Sequence, residues 1–459
     1  MSQPLEHAFR ALRTAMGRPL EPAAVAKGES LTFLIHDVSV TSSLAHHKVQ
    51  CDDTLSIRYK QPASAKAWDW PGWDSAVAVL WGVTAEGHSV CCRVHGFRPW
   101  CYVRVPTKES CAAVINHLNS EKGKYECALE QHYNFAGFQY DPVKGERIKH
   151  TYVKVSADSV AAYNQLKKLP EVEALERHDI ELVELHGVPL YAKFFSDTHL
   201  SPNGWVTATA NRDADYTVST CDYELVTKME SLTPVECMDV APLLVASCDI
   251  EAYSSTGKFP NAATDGDACF MINATFRRIT DPITKAAHTC FIYDDTLSEP
   301  YRISQERSTD GQVHVFRFRT EVAMIRAWRD CVCVYLDADV VLWYNGFRFD
   351  LPYLYRRALS GGDPTARDSA FDRTFQTSKF TRLSVHLKIK QQQSSAMGKN
   401  EYTVYAEEHG RLTMDLYDVI SKAEKLSSYK LARVCEEYLT VRGGTVSWSR
   451  ASALVTGSG

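Results

Sequence analysis

A short apolar run that ends in two acids, within PLLVASCDIEAYSSTGKFP at residues 242–260, constrains the fold of this chain more than any other segment. Residues 242–247 are predicted to form a buried strand, because they are apolar and lie between a Pro and a Ser-Ser-Thr-Gly loop. On a strand, side chains two residues apart project from the same face. Asp249 and Glu251 are therefore predicted to lie side by side.

Neighbouring carboxylates at the end of a buried strand lose hydration and repel each other unless a cation joins them. Hard ions such as Mg²⁺ and Mn²⁺ prefer carboxylate oxygen, so Asp249 and Glu251 are candidate metal ligands. The alternative is that this Asp-x-Glu lies on a solvated face or in a turn. A second acidic element is needed to favour the metal site.

A second patterned segment follows at 332–362, VCVYLDADVVLWYNGFRFDLPYLYRRALSGG. Its β-branched and aromatic runs, 332–336 and 340–344, are predicted strands. Asp337 and Asp339 lie between the two runs and are predicted to form a turn rather than to bind metal.

The pattern becomes helical at Asp350, and the predicted helix stops at Gly361-Gly362. Pro352 is tolerated in the first turn, because its missing N–H would be unpaired there. An Asp immediately before such a turn can cap the helix. A plain N-cap is therefore one interpretation of Asp350, and a third acidic ligand is the other.

Asp-x-Glu closing a strand, followed by Tyr-Asn-x-x-x-Phe-Asp opening a helix, resembles the first two of three exonuclease motifs in family B DNA polymerases. The resemblance runs from roughly residue 70 to 440 and leans toward enzymes of large DNA viruses and the cellular delta type. Other segments that resemble this family are 73–106, 180–208, SSAMGKNE at 394–401, GRLTMDLYDVI at 410–420 and KLSSYKLARVCEEYL at 425–439. The resemblance implies an α/β, ribonuclease H-like 3′→5′ exonuclease domain preceded by a strand-rich amino-terminal domain.

The chemistry that the resemblance implies is phosphodiester hydrolysis with two Mg²⁺ or Mn²⁺ ions about 3.5–4 Å apart. By resemblance, Asp249 and Glu251 hold the ion that activates water. Asp249 and Asp350 hold the ion that stabilises the leaving 3′ oxygen.

Tyr344, Asn345 and Phe349 match positions that the family uses near the 3′ terminal nucleotides, so DNA 3′ ends and primer–template DNA are the implied partners. An aromatic ring can stack on any base, which suits proofreading. For Phe349, the alternative is a place in the core at the edge of the helix.

The family completes its site with a third motif, Tyr-x-x-x-Asp, and no Tyr after residue 351 has an Asp four residues later. Asp415 is a remaining acid, predicted to be a surface or capping residue rather than a metal ligand. The palm motifs of the polymerase half are not found either. The prediction is a polymerase fragment with impaired exonuclease activity, which would meet a sliding clamp only through the missing half.

The alternative is a catalytically inactive module that binds single-stranded DNA or a replication partner. A stand-alone exonuclease is a third and less favoured interpretation, since such an enzyme would also need the complete set of carboxylate ligands.

The predicted organisation has four parts: a flexible or amphipathic lead at 1–28, the amino-terminal domain at 29–240, an incomplete exonuclease domain at 241–440 and a flexible tail at 441–459. The net charge of −5 excludes a protein that coats DNA through bulk positive charge. A local patch is needed instead, and Arg373–Asn400 carries six cations and no acid. That stretch could contact phosphates or be a solvated hairpin or loop.

The fourteen cysteines are scattered without a Cys-x-x-Cys pair, which is typical of a reducing compartment and of small buried side chains. The start of the chain lacks the apolar core of a signal peptide, and no apolar run reaches the length of a membrane span. The sequence therefore predicts a soluble protein of the nucleus or of a viral replication site in the cytoplasm, without a membrane partner.

Overall fold

The chain forms two compact units in a computed structural model. The described residues are 3–19, 23–42, 76–121, 123–134, 137, 139–183, 187–213, 219–264, 266–308, 311–360, 377–378, 382, 385–386, 389–390, 404–405 and 410–438. Unit one is Met1–Leu243 with Thr381–Val385, and unit two is Leu244–Phe380 with His386–Gly459. The division lies near the domain boundary expected between residues 240 and 241.

Unit one combines four helices with eleven strands among its described residues. Its helices are α1 (Gln3–Ala15), α2 (Lys108–Ser120), α3 (Val160–Gln165) and α4 (Leu190–Thr198). Its strands are β1 (Ala23–Ala24), β2 (Ser30–Ser42), β3 (Ala76–Val83), β4 (Ser89–His95), β5 (Trp100–Arg104), β6 (Tyr125–Tyr133), β7 (Lys149–Ala157), β8 (Glu181–Val183), β9 (Trp205–Thr209), β10 (Tyr223–Lys228) and β11 (Leu232–Val235). The sequence also predicts helices at 108–121 and 157–169, and these correspond to α2 and to α3 with the 3₁₀ turn Leu166–Glu171.

The larger sheet of unit one has the order β1-β10-β4-β3-β2-β9-β11. Strand β3 is buried along its whole length, because separate apolar clusters pack on its two faces. This explains why AVAVLWGV is continuously apolar rather than alternating. Gly82 is required within β3, since a Cβ there would lie 2.2 Å from Cδ2 of Phe33.

The lead segment at 1–28 contains helix α1 among its described residues. Helix α1 buries Leu5, Phe9 and Leu12, which share one face at helical spacing. Arg13, at the end of this face, forms a buried ion pair with Asp222.

The smaller sheet of unit one has the order β6-β7-β5-β8. Helices α2 and α3 contribute Val114, Leu118 and Tyr163 to one core with Val103 and Val155 of its strands. The chain order of this part is β5-α2-β6-β7-α3-β8.

Unit two is a mixed sheet with helices. Its helices are α5 (Glu321–Arg329), α6 (Asp350–Ser360), α7 (Leu416–Ala423) and α8 (Leu431–Tyr438). Its strands are β12 (Leu244–Tyr253), β13 (Ala268–Arg278), β14 (Ala287–Tyr293), β15 (Tyr301–Ser308), β16 (Gly311–Phe318), β17 (Val340–Trp343) and β22 (Leu412–Asp415). Four two-residue strands lie between the last two: β18 (Thr377–Ser378), β19 (Val385–His386), β20 (Ile389–Lys390) and β21 (Val404–Tyr405).

The sheet of unit two has the order β15-β16-β14-β13-β12-β17-β22. Strand β12 pairs antiparallel with β13 and parallel with β17, and β17 pairs parallel with β22. This α/β arrangement agrees with the expected ribonuclease H-like fold. Strand β12 continues through both acids to Tyr253, whereas the predicted strand ended before them.

The predicted strand at 332–336 is wrong. Residues Asp330–Tyr335 continue α5 as a fully buried π-helical turn. Periodicity cannot separate a short buried strand from a buried helical turn, because both are apolar on all sides. The predicted strand at 340–344 corresponds to β17.

Asp337 and Asp339 lie in the expected bend, yet both are fully buried. Asp337 adopts a left-handed φ of 49° and accepts a 2.6 Å hydrogen bond from the Arg411 guanidinium. Asp339 accepts a 2.6 Å hydrogen bond from the Leu244 N–H. The two acids therefore connect the bend to Arg411, the residue before β22, and to Leu244 of β12.

The cationic stretch Arg373–Asn400 lies largely outside the described residues, as does the tail at 441–459. Within that stretch, Arg382 is buried rather than on a surface patch. The described cysteines are free thiols, and Cys91, Cys92, Cys331 and Cys333 are buried as expected. No helix in the described part of the chain is long and apolar enough to cross a membrane.

Candidate active site

Strand β12 presents its acids on one face. Ala246, Cys248 and Ile250 are buried on the opposite face, whereas Asp249 and Glu251 lie on the face that solvent reaches, where surrounding atoms still desolvate their carboxylates. The alternation of burial follows the two-residue period of a strand. Both carboxylates therefore project from the same side of the sheet.

Strand β17 brings the second motif beside these acids. Its parallel pairing with β12 ends at Ser247 and Leu342, so the chain that leaves β17 passes next to Asp249. Helix α6 begins at Asp350 itself, and the Ile250 N–H donates to Asp350 Oδ1 over 3.3 Å. A plain N-cap does not account for this hydrogen bond, because its donor lies on strand β12.

The three acids share an environment that disfavours negative charge. Burial first, and then the charges of Asp249 and Asp415, raise the pKa of Asp350 to about 7, against the opposing effect of the N–H groups of Asp350 and Ile250. Burial also raises the pKa of Asp249 to about 6, with Glu251 adding to it. Burial raises the pKa of Glu251.

The donor set of this site fits a divalent cation. Three carboxylates supply hard oxygen atoms, and no basic group is among the causes of their pKa shifts. Among the described residues, however, no three His, Cys, Asp or Glu side chains lie close enough together to hold one metal ion.

The loop after β17 has a strained backbone. Asn345 adopts a left-handed φ of 63°, which Asn tolerates better than most residues. A Cβ at Gly346 would lie 2.4 Å from the Trp343 Cβ, so only glycine fits there. Gly346 is therefore required in this turn, and Asn345 suits the left-handed position before it.

Asp415 has a second role, in the loop after β17, that the sequence interpretation missed. It pairs with Trp343 across β22 and β17 and is 2% exposed. Its carboxylate accepts hydrogen bonds from the N–H groups of Asn345 (2.8 Å) and Phe347 (3.0 Å). It also accepts from the Tyr417 N–H (3.0 Å), so the capping role was correct and the surface role was wrong.

Two aromatic rings meet at Phe349, the residue before Asp350. The Phe349 ring lies 4.7 Å from that of Phe259 and 5.4 Å from that of Tyr353, measured between centroids. Phe349 is half-buried, which agrees with its position at the edge of the helix, whereas Phe259 is 75% exposed. Sequence reasoning missed Phe259, for which the signal is an aromatic residue in the loop that follows the first two acids.

The loop that carries Phe259 is held by Asp267. Its carboxylate accepts hydrogen bonds from the N–H (2.8 Å) and hydroxyl (2.8 Å) of Ser255 and from the Asn261 N–H (2.9 Å). These bonds lower the pKa of Asp267. This acid is therefore structural.

Tyr344 is engaged within the protein. Its hydroxyl donates to the Tyr429 carbonyl oxygen, and its ring lies 6.0 Å from that of Tyr417. Its position beside Asn345 is as expected, but its hydroxyl already has a partner.

Fold and site together define a ribonuclease H-like α/β domain with an acidic cluster beside a central strand. The family described as DNA polymerase family B, exonuclease domain, matches residues 185–434. The chain belongs to this family.

Relatives agree with this assignment. The DNA polymerase delta catalytic subunit of Glycine max is 26% identical over 412 residues, which cover 83% of this chain and 35% of the relative. The DNA polymerase of Paramecium bursaria Chlorella virus NY2A is 25% identical over 373 residues, covering 78% of this chain and 37% of the relative. The chain thus spans about a third of the length of these curated relatives.

A solved structure supports the fold. The family B DNA polymerase from the archaeon Pyrobaculum calidifontis matches with a TM-score of 0.51 at 18% identity, covering 90% of this chain and 40% of that one.

Proposed function

We propose that this chain is the amino-terminal and proofreading exonuclease portion of a replicative DNA polymerase, and that it removes nucleotides from DNA 3′ ends with impaired activity. The observation that carries the proposal is pairwise: Asp249 lies close enough to Glu251 on its own strand, and to Asp350 at the start of helix α6, for the charges to raise the pKa values of Asp249 and Asp350. Acids kept together against their own repulsion are typical of a metal-dependent site.

Each of the three acids has a proposed role as a metal ligand. Asp249 and Glu251 would hold one divalent ion, and Asp249 and Asp350 a second. Such a pair of ions supplies an activated water and charge stabilisation at the leaving oxygen. The Ile250 N–H orients the Asp350 carboxylate toward β12.

The nucleotide end would lie against the aromatic rings. Phe259 and Phe349 form an edge-to-face pair with an exposed member, which suits stacking on any base. Asn345 and Tyr344 would line the same region, with Asn345 offering its side-chain amide. Single-stranded 3′ ends and primer–template DNA are the proposed partners. A sliding clamp, and a location in the nucleus or at a viral replication site, stay predictions from the resemblance.

An inactive DNA-binding module is the second candidate. It is favoured by the lack, among the described residues, of a group of three acids around one point. In that case single-stranded DNA would bind with steep salt dependence, and loss of Asp249 and Asp350 would leave the affinity unchanged.

The test is a single-turnover assay on 5′-labelled single-stranded DNA with Mg²⁺ or Mn²⁺, comparing the wild type with Asp249→Asn and Asp350→Asn. The exposed acid Asp295, changed to Asn, is the matched control. The proposal expects metal-dependent shortening from the 3′ end that both site variants abolish and the control retains. Brisk degradation that Asp249→Asn leaves unchanged would show that the site assignment is wrong.

A further inference from the structure

Asp415 holds the backbone of the loop between β17 and α6. Its Oδ1 accepts the N–H of Asn345 at 2.8 Å and its Oδ2 accepts the N–H of Phe347 at 3.0 Å. The carboxylate is almost fully buried, so these bonds replace its hydration. Two N–H groups on either side of Gly346 thus converge on one side chain.

These bonds hold a conformation that the loop would not favour alone. Asn345 has a left-handed backbone, and Gly346 packs directly against Trp343. Left-handed conformations of residues other than glycine are sparsely populated unless their surroundings impose them. Asp415 provides that constraint from β22, the neighbouring strand.

The loop in turn begins helix α6. The Asn345 carbonyl oxygen accepts the N–H of Phe349 at 3.2 Å, and the Gly346 carbonyl oxygen accepts the N–H of Leu351 at 2.9 Å. Asp350 lies between these two donors. A shift of the loop backbone would therefore move Phe349 and Asp350 together.

The Arg348 side chain of the same loop contacts the segment that follows Asp415. The Arg348 guanidinium donates to Asp418 at 2.6 Å and lies 4.8 Å from the centroid of the Tyr417 ring. These contacts hold the Arg348 side chain, while the hydrogen bonds to Asp415 hold the backbone at Asn345 and Phe347.

We infer that Asp415 is a positioning residue for the candidate exonuclease site, acting through the backbone of residues 345–347 on Asp350 and Phe349. The inference rests on the proposed function. It assigns Asp415 no contact with metal or DNA. Groups that orient metal ligands in this indirect way typically change metal affinity or activity by about 10–100-fold when they are altered.

The experiment uses Asp415→Asn in the full chain, with Asp295→Asn as control. The amide matches the carboxylate in shape, but its NH₂ group cannot accept the hydrogen bond that one oxygen accepts now. Three quantities are measured: amide hydrogen exchange at Asn345 and Phe347, the Mn²⁺ dissociation constant by calorimetry, and the rate of 3′ hydrolysis.

The expected result is faster exchange at both amides and a Mn²⁺ dissociation constant raised about 10-fold or more, with unchanged far-UV circular dichroism. The control should match the wild type. Unchanged Mn²⁺ affinity together with unchanged exchange would overturn the inference, and so would global loss of structure, since Asp415 would then support the fold as a whole.

The outcomes also separate this inference from the proposed function. If the wild type neither binds Mn²⁺ nor hydrolyses DNA, the proposed function fails, and the inference fails with it as a statement about that site. If the wild type does both and Asp415→Asn does both equally well, only the inference fails.

Discussion

The Ile250 N–H, on the strand that carries Asp249 and Glu251, donates to the Asp350 carboxylate over 3.3 Å. This bond joins two sequence motifs that lie about a hundred residues apart. It brings a third acid beside two others, in a place where burial raises the pKa of each. Desolvation and repulsion of these carboxylates should affect both the stability of the folded protein and its affinity for a cation.

Asp350→Asn should stabilise the metal-free protein at pH 8. Asp350 has a folded-state pKa of about 7, against about 3.9 in an unfolded chain. The folded state therefore holds this proton more tightly, and stability falls as pH rises from about 4 to about 7. Removing the carboxylate should raise the free energy of unfolding by about 1–3 kcal/mol at pH 8 and by much less at pH 4. Urea unfolding in EDTA at both pH values measures the difference, and a variant less stable than the wild type at pH 8 would contradict it.

Binding of Mn²⁺ should weaken as pH falls below 7. Asp350 and Asp249 have pKa values of about 7 and about 6, so protons compete with the cation in this range. Calorimetric titrations at pH 8, 6.5 and 5.5 should show a steady loss of affinity. Affinity that stays constant across this range would mean that the cation binds elsewhere.

Phe259→Ala should weaken binding of single-stranded DNA without weakening the fold. The side chain is 75% exposed, so truncation should change the free energy of unfolding by less than about 0.5 kcal/mol. Loss of one stacked base should cost about 1–3 kcal/mol of binding. Fluorescence anisotropy with a labelled oligonucleotide measures this, with exposed Tyr140→Ala in unit one as the control. Equal losses in both variants would argue against a specific stacking site.

Arg357→Ala should destabilise unit two. The Arg357 Nε donates to both carboxylate oxygens of Glu321, at 2.9 and 3.0 Å, and Glu321 also accepts the Cys269 N–H at 2.8 Å. Both side chains are buried, so removing the arginine leaves an unpaired charge, which costs about 3–5 kcal/mol. Arg356→Ala, one residue earlier and exposed, is the control in thermal unfolding. Equal melting temperatures for the two variants would contradict this account of the ion pair.

Local patterns in the sequence identify much of the site. The apolar run before Asp249 predicts β12, and the pattern that begins at Asp350 predicts α6, because each depends on residues close together in the chain. The resemblance to a known family assigns the roles of these acids, which periodicity alone does not.

Other features depend on contacts that no local pattern encodes. Asp415 meets Asn345 only because β22 pairs with β17, and some seventy residues separate the two partners. The run 332–336 lies largely in a helical turn that is buried on every side, and burial of that kind leaves no periodicity in the sequence to separate such a turn from a strand. The exposed ring of Phe259 meets Phe349 through the fold of a loop that Asp267 holds in place.

Calorimetric titration of the full chain with Mn²⁺ tests the central claim most directly, with Asp249→Asn and Asp295→Asn as the compared variants. Asp249 is the acid that both proposed ions share. The wild type and Asp295→Asn should bind two ions, and Asp249→Asn should lose or greatly weaken both. If Asp249→Asn bound Mn²⁺ with the stoichiometry and affinity of the wild type, the proposed metal site on β12 and α6 would be wrong.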